Sequence, residues 1–577
     1  MFPACRFASV KCFRVLFLVL AVCLLASFAG AQTDNWTGST GVWSDPAQWD
    51  SGVPVAGDNI NIGTTTANST DDFSLAISGL VLDNSGDALS IADGVSLTVS
   101  GTIANQGSIS LSSAGSNTYL LVSGTVSLSG SGTLNMGSAG PNYIAGASGT
   151  GSETMASSNT IQGAGNIGAG LMNFNNNGTV IANNPAANLF VDVSTNFNNS
   201  GTLEAITGGN LTIEGAANSF LNYNSTTNTL TGGTYTANGG NIYFPGSASG
   251  ITTLSARVTQ EAGGQLMNST TGTPALANLS SITSTGVLTT TATFNQPGAF
   301  SMAGALNLLP KTSFSVGSLA QIVNGTLTGG QWVFDSNFNI TGTPAAITTN
   351  NATLTLSGGT FHNTSNNSDA MASLTLTKKN LRILNFAKFT TNGSLTNSAD
   401  MTVAKGCKMT IGGTATSFTQ TGGKITNDGV ITGAVNLTGG SFLGAGSIAG
   451  NFSNGGTKAG ALLSVGDAAK AGQMAITGTY TQTANGKLST AIGGITVATQ
   501  YSQLKVTGAA TLSGPIAAPL LGTFVPTVGQ TFNVLTATSV TGTFSNSTIA
   551  INSSEHFAVS YTATSVVLTV VSGPAAE

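Results

Sequence analysis

Two places in this sequence combine residue types and spacing that could do chemistry. Trp36, Trp43 and Trp49 stand close together near the start, and Lys378, Lys379, Arg382, Lys388, Lys405 and Lys408 form a basic run further on. Indoles held side by side could stack on sugar rings through their apolar, electron-rich faces. The cations could hold an acidic polysaccharide or the phosphates of a lipid A headgroup. Each group also has a plainer reading: the tryptophans would close the open end of a stacked fold, and the basic run would be a solvated face. The ligand-binding candidates are thus Trp36, Trp43, Trp49, Lys378, Lys379 and Arg382. For the tryptophans the cap is favoured, because Asp45-Pro46 and Gly52-Val53-Pro54 set tight turns that fold the indoles inward.

Catalysis on a polysaccharide needs convergent carboxylates, usually with a Lys or Arg. Nine acidic residues lie from Asp34 to Asp93, yet no Lys or Arg occurs between Gln32 and Gly250. Asp71 and Asp72 would point to opposite sides of a strand, and Asp45, Asp50 and Asp58 read as turn residues around the tryptophans. His362 and His556 have no Cys or His at metal-ligand spacing and read as surface residues. No nucleophile elbow, phosphate-binding loop or calcium-binding glycine repeat is present. The expectation is a chain that is not an enzyme, with no catalytic residue, metal or cofactor.

The elements that would position these residues are short. From Gly422 to Thr457, Ile425, Val430-Ile431, Phe442-Leu443, Ile448 and Phe452 are each cut off from the next by a Gly, Asn or Asp turn. Glycine at this density would cost a helix roughly 1 kcal/mol per residue. Strands this short bury a face only by stacking on the next copy, so the chain reads as all-β, a parallel β-solenoid. The charge content agrees. Charged residues are 6% of 577, and in a parallel stack equivalent side chains lie roughly 4.8 Å apart, where like charges repel by about 1 kcal/mol even in water.

A turn-plus-strand phrase marks the coil length. It reads NQGSI at Asn105, NNGTV at Asn176, NSGTL at Asn199 and NDGVI at Asn427, and the middle two are 23 residues apart. Val180 and Leu203 should therefore both point inward. In each phrase Gly should supply a positive φ, and Asn should hydrogen-bond to its stacked equivalents. At this spacing the repetitive region makes roughly 17 coils, a rod near 80 Å. Residues 1–31 read as a signal peptide, with Arg6, Lys11 and Arg14 before an apolar core from Val15 to Ala26 and a cleavage site at Ala29-Gly30-Ala31. Of four cysteines only Cys407 would then remain, so stability cannot rest on disulfides. The expected divisions are a cap at 32–58, a solenoid at 59–463 and a compact C-terminal β-domain at 464–577. In the last, longer strands are expected, among them Gln473–Gln482, Gln503–Leu512 and Phe557–Val571.

The segments SFLGAGSIAGNFSNGGT, SVGDAAKAGQMAITGTYTQTANGKLSTAIGG, LKVTGAATLSG and YTATSVVLTVV, within 440–571, resemble the passenger end of autotransporter and haemagglutinin-like secreted proteins of Gram-negative bacteria. The resemblance implies a right-handed β-helix, secreted or on the outer surface, acting as an adhesin or extracellular structural protein. A glycan-binding or carbohydrate-active β-helix is the alternative. Its implied partners are surface glycans, other cells or further copies of itself. Neither a nucleic-acid partner nor an integral membrane segment in the processed chain is expected. Autotransporters continue into an outer-membrane barrel that the residues to Glu577 do not supply, so self-translocation is not expected from them.

Overall fold

Strand after strand alternates between inside and outside. In Ser96–Val99 and Ser108–Leu111 the Leu, Val and Ile side chains are buried, while Ser and Thr face outward. Such strands leave one apolar face each, and the computed structural model shows how it is covered. The structure describes residues 32–63, 66–137, 141–215, 218–457, 460–467 and 469–574, so the expected signal peptide lies outside the described residues. The chain winds into about 19 parallel coils, a β-solenoid near 90 Å long at about 4.8 Å per coil. Among the described residues the only helical turns are the short 3-10 segments Pro46–Gln48 and Ala370–Ser373.

Four sheets, built mostly of parallel strands, form the walls. One is the eight-stranded sheet from Thr33–Trp36 to Phe197–Asn199, and another is the nine-stranded sheet from Leu75–Ile77 to Leu266–Asn268. The third runs from Thr40–Val42 through the length of the stack to Ser539–Gly542. In the middle of the chain two walls share one bent strand, as in Thr229–Asn238 and Thr326–Phe334. Each bends at a glycine pair, Gly232-Gly233 (φ +59° and +64°) and Gly329-Gly330 (φ +69° and +73°), a backbone region where side chains carry strain.

Like stacks on like in the interior. Val180 stands in register with Leu203, and neither is exposed. Phe174, Phe197 and Phe220 stack with ring centroids 5.6 and 5.2 Å apart, and Phe294 lies 4.2 Å from Phe314. Each such pair adds about 0.5–1.5 kcal/mol beyond its burial. Asn105, Asn176, Asn199 and Asn427 are all buried. Asn176 Nδ2 donates to Asn199 Oδ1 (2.8 Å), and Asn222 Oδ1 accepts from the Asn199 backbone N–H (2.7 Å).

The role of the phrase glycines differs from expectation. Gly107, Gly178, Gly201 and Gly429 do not have positive φ. Each instead lies so close to the neighbouring coil that a Cβ would strike its carbonyl oxygens: Asp87 for Gly107, Asn159 for Gly178, Gly178 for Gly201 and Ala404 for Gly429. Glycine is required there for room between coils rather than for backbone freedom.

Coil length also varies more than one ruler suggests, from 17 residues between Val430 and Ser447 to 32 between Leu203 and Tyr235. The ladders cross residue 464 unbroken: Ala461–Val465 pairs with Gly486–Thr490, and Gln473–Ile476 with Gln503–Val506. Two of the long strands expected there, Gln473–Gln482 and Gln503–Leu512, are each broken into two coil sides. Gln473–Ile476 and Tyr480–Gln482 are separated at Gly478, and Glu555–Tyr561 turns back at Thr562–Thr564 onto Ser565–Ser572. That antiparallel hairpin, with Thr548–Ala550, covers the end of the fourth, ten-stranded sheet, which begins at Lys388–Thr391.

Val180→Asp places a charge in the stack without a partner and should destabilise the surrounding coils by several kcal/mol. Thr179→Asp, one residue over on the outer side, should cost less than about 1 kcal/mol. Hydrogen exchange over residues 160–206 reads both; equal protection loss would mean the register is wrong.

Candidate functional site

The tryptophans form a closed cluster in the first coil. Asp45 caps the 3-10 turn by accepting from the Ala47 N–H (3.0 Å), and this turn swings Trp49 back to bridge with Trp36. Trp49 packs edge-on against Trp36 (5.0 Å, 86°) and Trp43 (5.6 Å, 82°), and its Nε1 donates to the Trp43 carbonyl (3.0 Å). Trp36 and Trp43 have no exposed surface and Trp49 has 5%. No indole face is open to a sugar ring.

The carboxylates around this cluster are turn anchors and buried groups. Asp50 accepts from the Asn35 backbone and side-chain amides (3.0 and 2.7 Å), and Asp58 accepts from the Val55 N–H (2.8 Å). Asp34 is buried beside Asp58, and burial, the hydrogen bond to Asp58 and its repulsion raise the Asp34 pKa to about 6. Asp71 and Asp72 do point to opposite sides. Asp72 accepts from Ser44 Oγ (2.5 Å), whereas Asp71 is fully buried and neither carboxyl oxygen finds a donor at good geometry. Burial pushes the Asp71 pKa to about 7; the Phe73 N–H offsets part of the rise, and Asp72 adds repulsion.

The basic run does not come together as one patch. Lys378 and Lys379 follow Leu376–Thr377 at an exposed corner. Arg382 faces outward on one wall, in register with Thr355 and Thr402. Lys388 and Lys408 stand in register with each other on a different wall, the ten-stranded sheet. His362 is half-buried opposite Asp369 in a small hairpin, and His556 Nδ1 lies 2.8 Å from the Gly573 carbonyl oxygen. Among the described residues, no group of three or more His, Cys, Asp or Glu is placed to hold a metal ion, and no helix is long and apolar enough to cross a membrane.

A different site emerges on the outer face of the nine-stranded sheet. Tyr119, Tyr143, Asn166, Phe190, Thr212 and Tyr243 occupy one outward column, each in register with the next. All are half-buried, as flat sheet faces leave their outward side chains. Tyr119 and Tyr143 stack at 5.0 Å, and from Tyr143 onward an aromatic ring recurs at every second coil, with a short amide or hydroxyl between. The neighbouring outward column ends in Asp192 and Glu214, also in register. Burial raises both pKa values; the Asn166 side chain offsets part of it at Asp192, and Asp192 repels Glu214. Glu214 lines an open groove of about 610 Å³ with Phe220, Tyr223, Ser247 and Thr270. Reading clusters along the chain misses this site, because its members are one coil apart. The aromatic in the outward position of TYLLV, NYIAG, LFVD and NIYF is the signal that could have found it.

No protein-family model matches the sequence, and no curated protein matches it. The structure therefore defines the chain by its architecture, an all-β parallel solenoid capped by a tryptophan cluster.

All four tryptophans are buried, since Trp332 is only 1% exposed. The intact protein should emit at short wavelength and resist acrylamide; water-like emission quenched freely would rule out the cap. The raised Asp71 pKa sets a pH dependence. Its ordinary value is 3.8, so between there and about 7 the fold holds a proton that the unfolded chain has released. Stability of the N-terminal coils should fall as pH rises through that window and stay low above it. Asp71→Asn should flatten the slope and add on the order of 2 kcal/mol at pH 8. Hydrogen exchange of residues 66–111 at pH 5 and pH 8 measures it.

Proposed function

We propose that this protein is a secreted, non-catalytic β-solenoid, located at the outer surface or in the extracellular matrix of a Gram-negative bacterium as an adhesin or structural filament. The observation that carries the reading is the stack itself: about 19 coils presenting repeated rows of Ser, Thr and Asn along one rod. Rows of identical weak contacts bind by multiplicity, so many sites of low affinity on a cell or glycan surface add to firm attachment. The resemblance over 440–571 to autotransporter passengers and the signal-like residues 1–31 support the same reading. A second reading, glycan binding, is favoured by the outward aromatic column of Tyr119, Tyr143, Phe190 and Tyr243.

Protease shaving of intact cells, with mass spectrometry of the protein's N-terminus, tests the first reading. The expected result is a chain beginning at Gln32 and released or clipped by external protease. A chain retaining Met1 and protected until the cells are lysed would overturn it.

A further inference from the structure

We infer that the outer face of the nine-stranded sheet binds an uncharged, extended, linear polysaccharide lying along the solenoid axis. The inference rests on the extracellular reading above, since such polymers are met outside the cell. Adjacent coils are about 4.8 Å apart, so Tyr143, Phe190 and Tyr243 recur every two coils, ~9.6 Å. That step is close to the length of one disaccharide. In a β-1,4-linked ribbon alternate sugars turn over, so the disaccharide is the unit that repeats in register with these rings.

The chemistry of the column fits such a chain. Each aromatic ring offers an apolar surface to sugar C–H groups. Between the rings stand shorter polar side chains, Asn166 and Thr212, which make notches with hydrogen-bonding floors. Asp192 and Glu214 stand beside them in the neighbouring column, as carboxylate acceptors for sugar hydroxyls. In-register like charges are costly in a parallel ladder. Hydroxyls donated to both carboxylates would offset that repulsion in the bound state. The face is also the wrong one for an acidic polymer, because no Lys or Arg occurs from Gln32 to Gly250. The unbroken register from Tyr119 to Tyr243 keeps the rings and notches in one column along the stack.

The test uses the purified protein with microcrystalline cellulose, chitin beads, cellohexaose and chitohexaose, and with polygalacturonate and heparin as acidic comparators. The expected result is retention on at least one uncharged polymer and weaker retention, by tenfold or more, on both acidic ones. Tyr143→Ala/Phe190→Ala/Tyr243→Ala should lose at least tenfold in affinity, whereas Tyr143→Phe/Tyr243→Phe should stay within about threefold. Phe386→Ala serves as the control, because Phe386 is 78% exposed on a corner over Gly406, far along the chain from this face. It should leave binding unchanged. A measurement independent of variant folding is nitration of the wild-type protein, in which bound hexasaccharide should slow modification of Tyr143 and Tyr243. No retention on either uncharged polymer, equal retention on the acidic ones, equal loss in Phe386→Ala, or no protection of the two tyrosines would overturn the inference. A protein found outside the cell that binds none of these polymers contradicts this inference alone. One found inside the cell contradicts the extracellular reading whatever it binds.

Discussion

The hydrogen-bonded ladder between successive coils is the constraint from which the rest follows. Backbone N–H and C=O groups of each short strand are satisfied only by the coils on either side. That pairing places every side chain about 4.8 Å from its counterpart in the next coil. Like must then tolerate like. Phe stacks on Phe at 174, 197 and 220, and buried Asn bonds buried Asn at 176 and 199. Charges are scarce, because each would face its neighbour at close range. Where the corners draw two coils together, as at Gly178 and Gly201, even a Cβ is too much.

The same constraint decides what happens at the two ends. An open coil exposes apolar interior and unpaired strand edges, a template for aggregation. At the start, three indoles packed edge to face fill the first coil, held by the turn that Asp45 caps. At the other end, Glu555–Tyr561 and Ser565–Ser572 turn antiparallel and cover the last strand of one wall. The buried Asp71 close to the N-terminal end goes against this rule, because both of its carboxyl oxygens lack a well-aligned donor. Its raised pKa is the physical consequence of putting a carboxyl where no well-aligned donor reaches it.

Much of this was legible in the sequence, because the repeat is local. The spacing of the phrases at Asn176 and Asn199 gives the register of Val180 on Leu203 that the structure shows, and the turns around Asp45 and Pro54 place the tryptophans inward. The reason for the phrase glycines was not legible. A positive φ is a property of one residue, whereas a close approach belongs to two coils. The break of the long C-terminal strands at Gly478 and Thr562–Thr564 escaped for the same cause, since alternation continues across a coil corner. The site was the least legible part. Arg382 and Lys388 are near one another in sequence yet end on different walls, while Tyr143, Phe190 and Tyr243 line one column.

The register between coils is tested most directly by cross-linking outward neighbours. Thr179 and Thr202 face outward in register on adjacent coils, within the Cα separation of 4.4–6.8 Å that a disulfide needs. Thr179 and Glu204 are offset by two residues along the strand, which puts them beyond about 7 Å. In a chain beginning at Gln32 the one other thiol is Cys407, which is buried. Under mild oxidation Thr179→Cys/Thr202→Cys should close an intrachain disulfide, and Thr179→Cys/Glu204→Cys should not. Closure of the second pair and not the first, or of neither, would contradict the stacked-coil account.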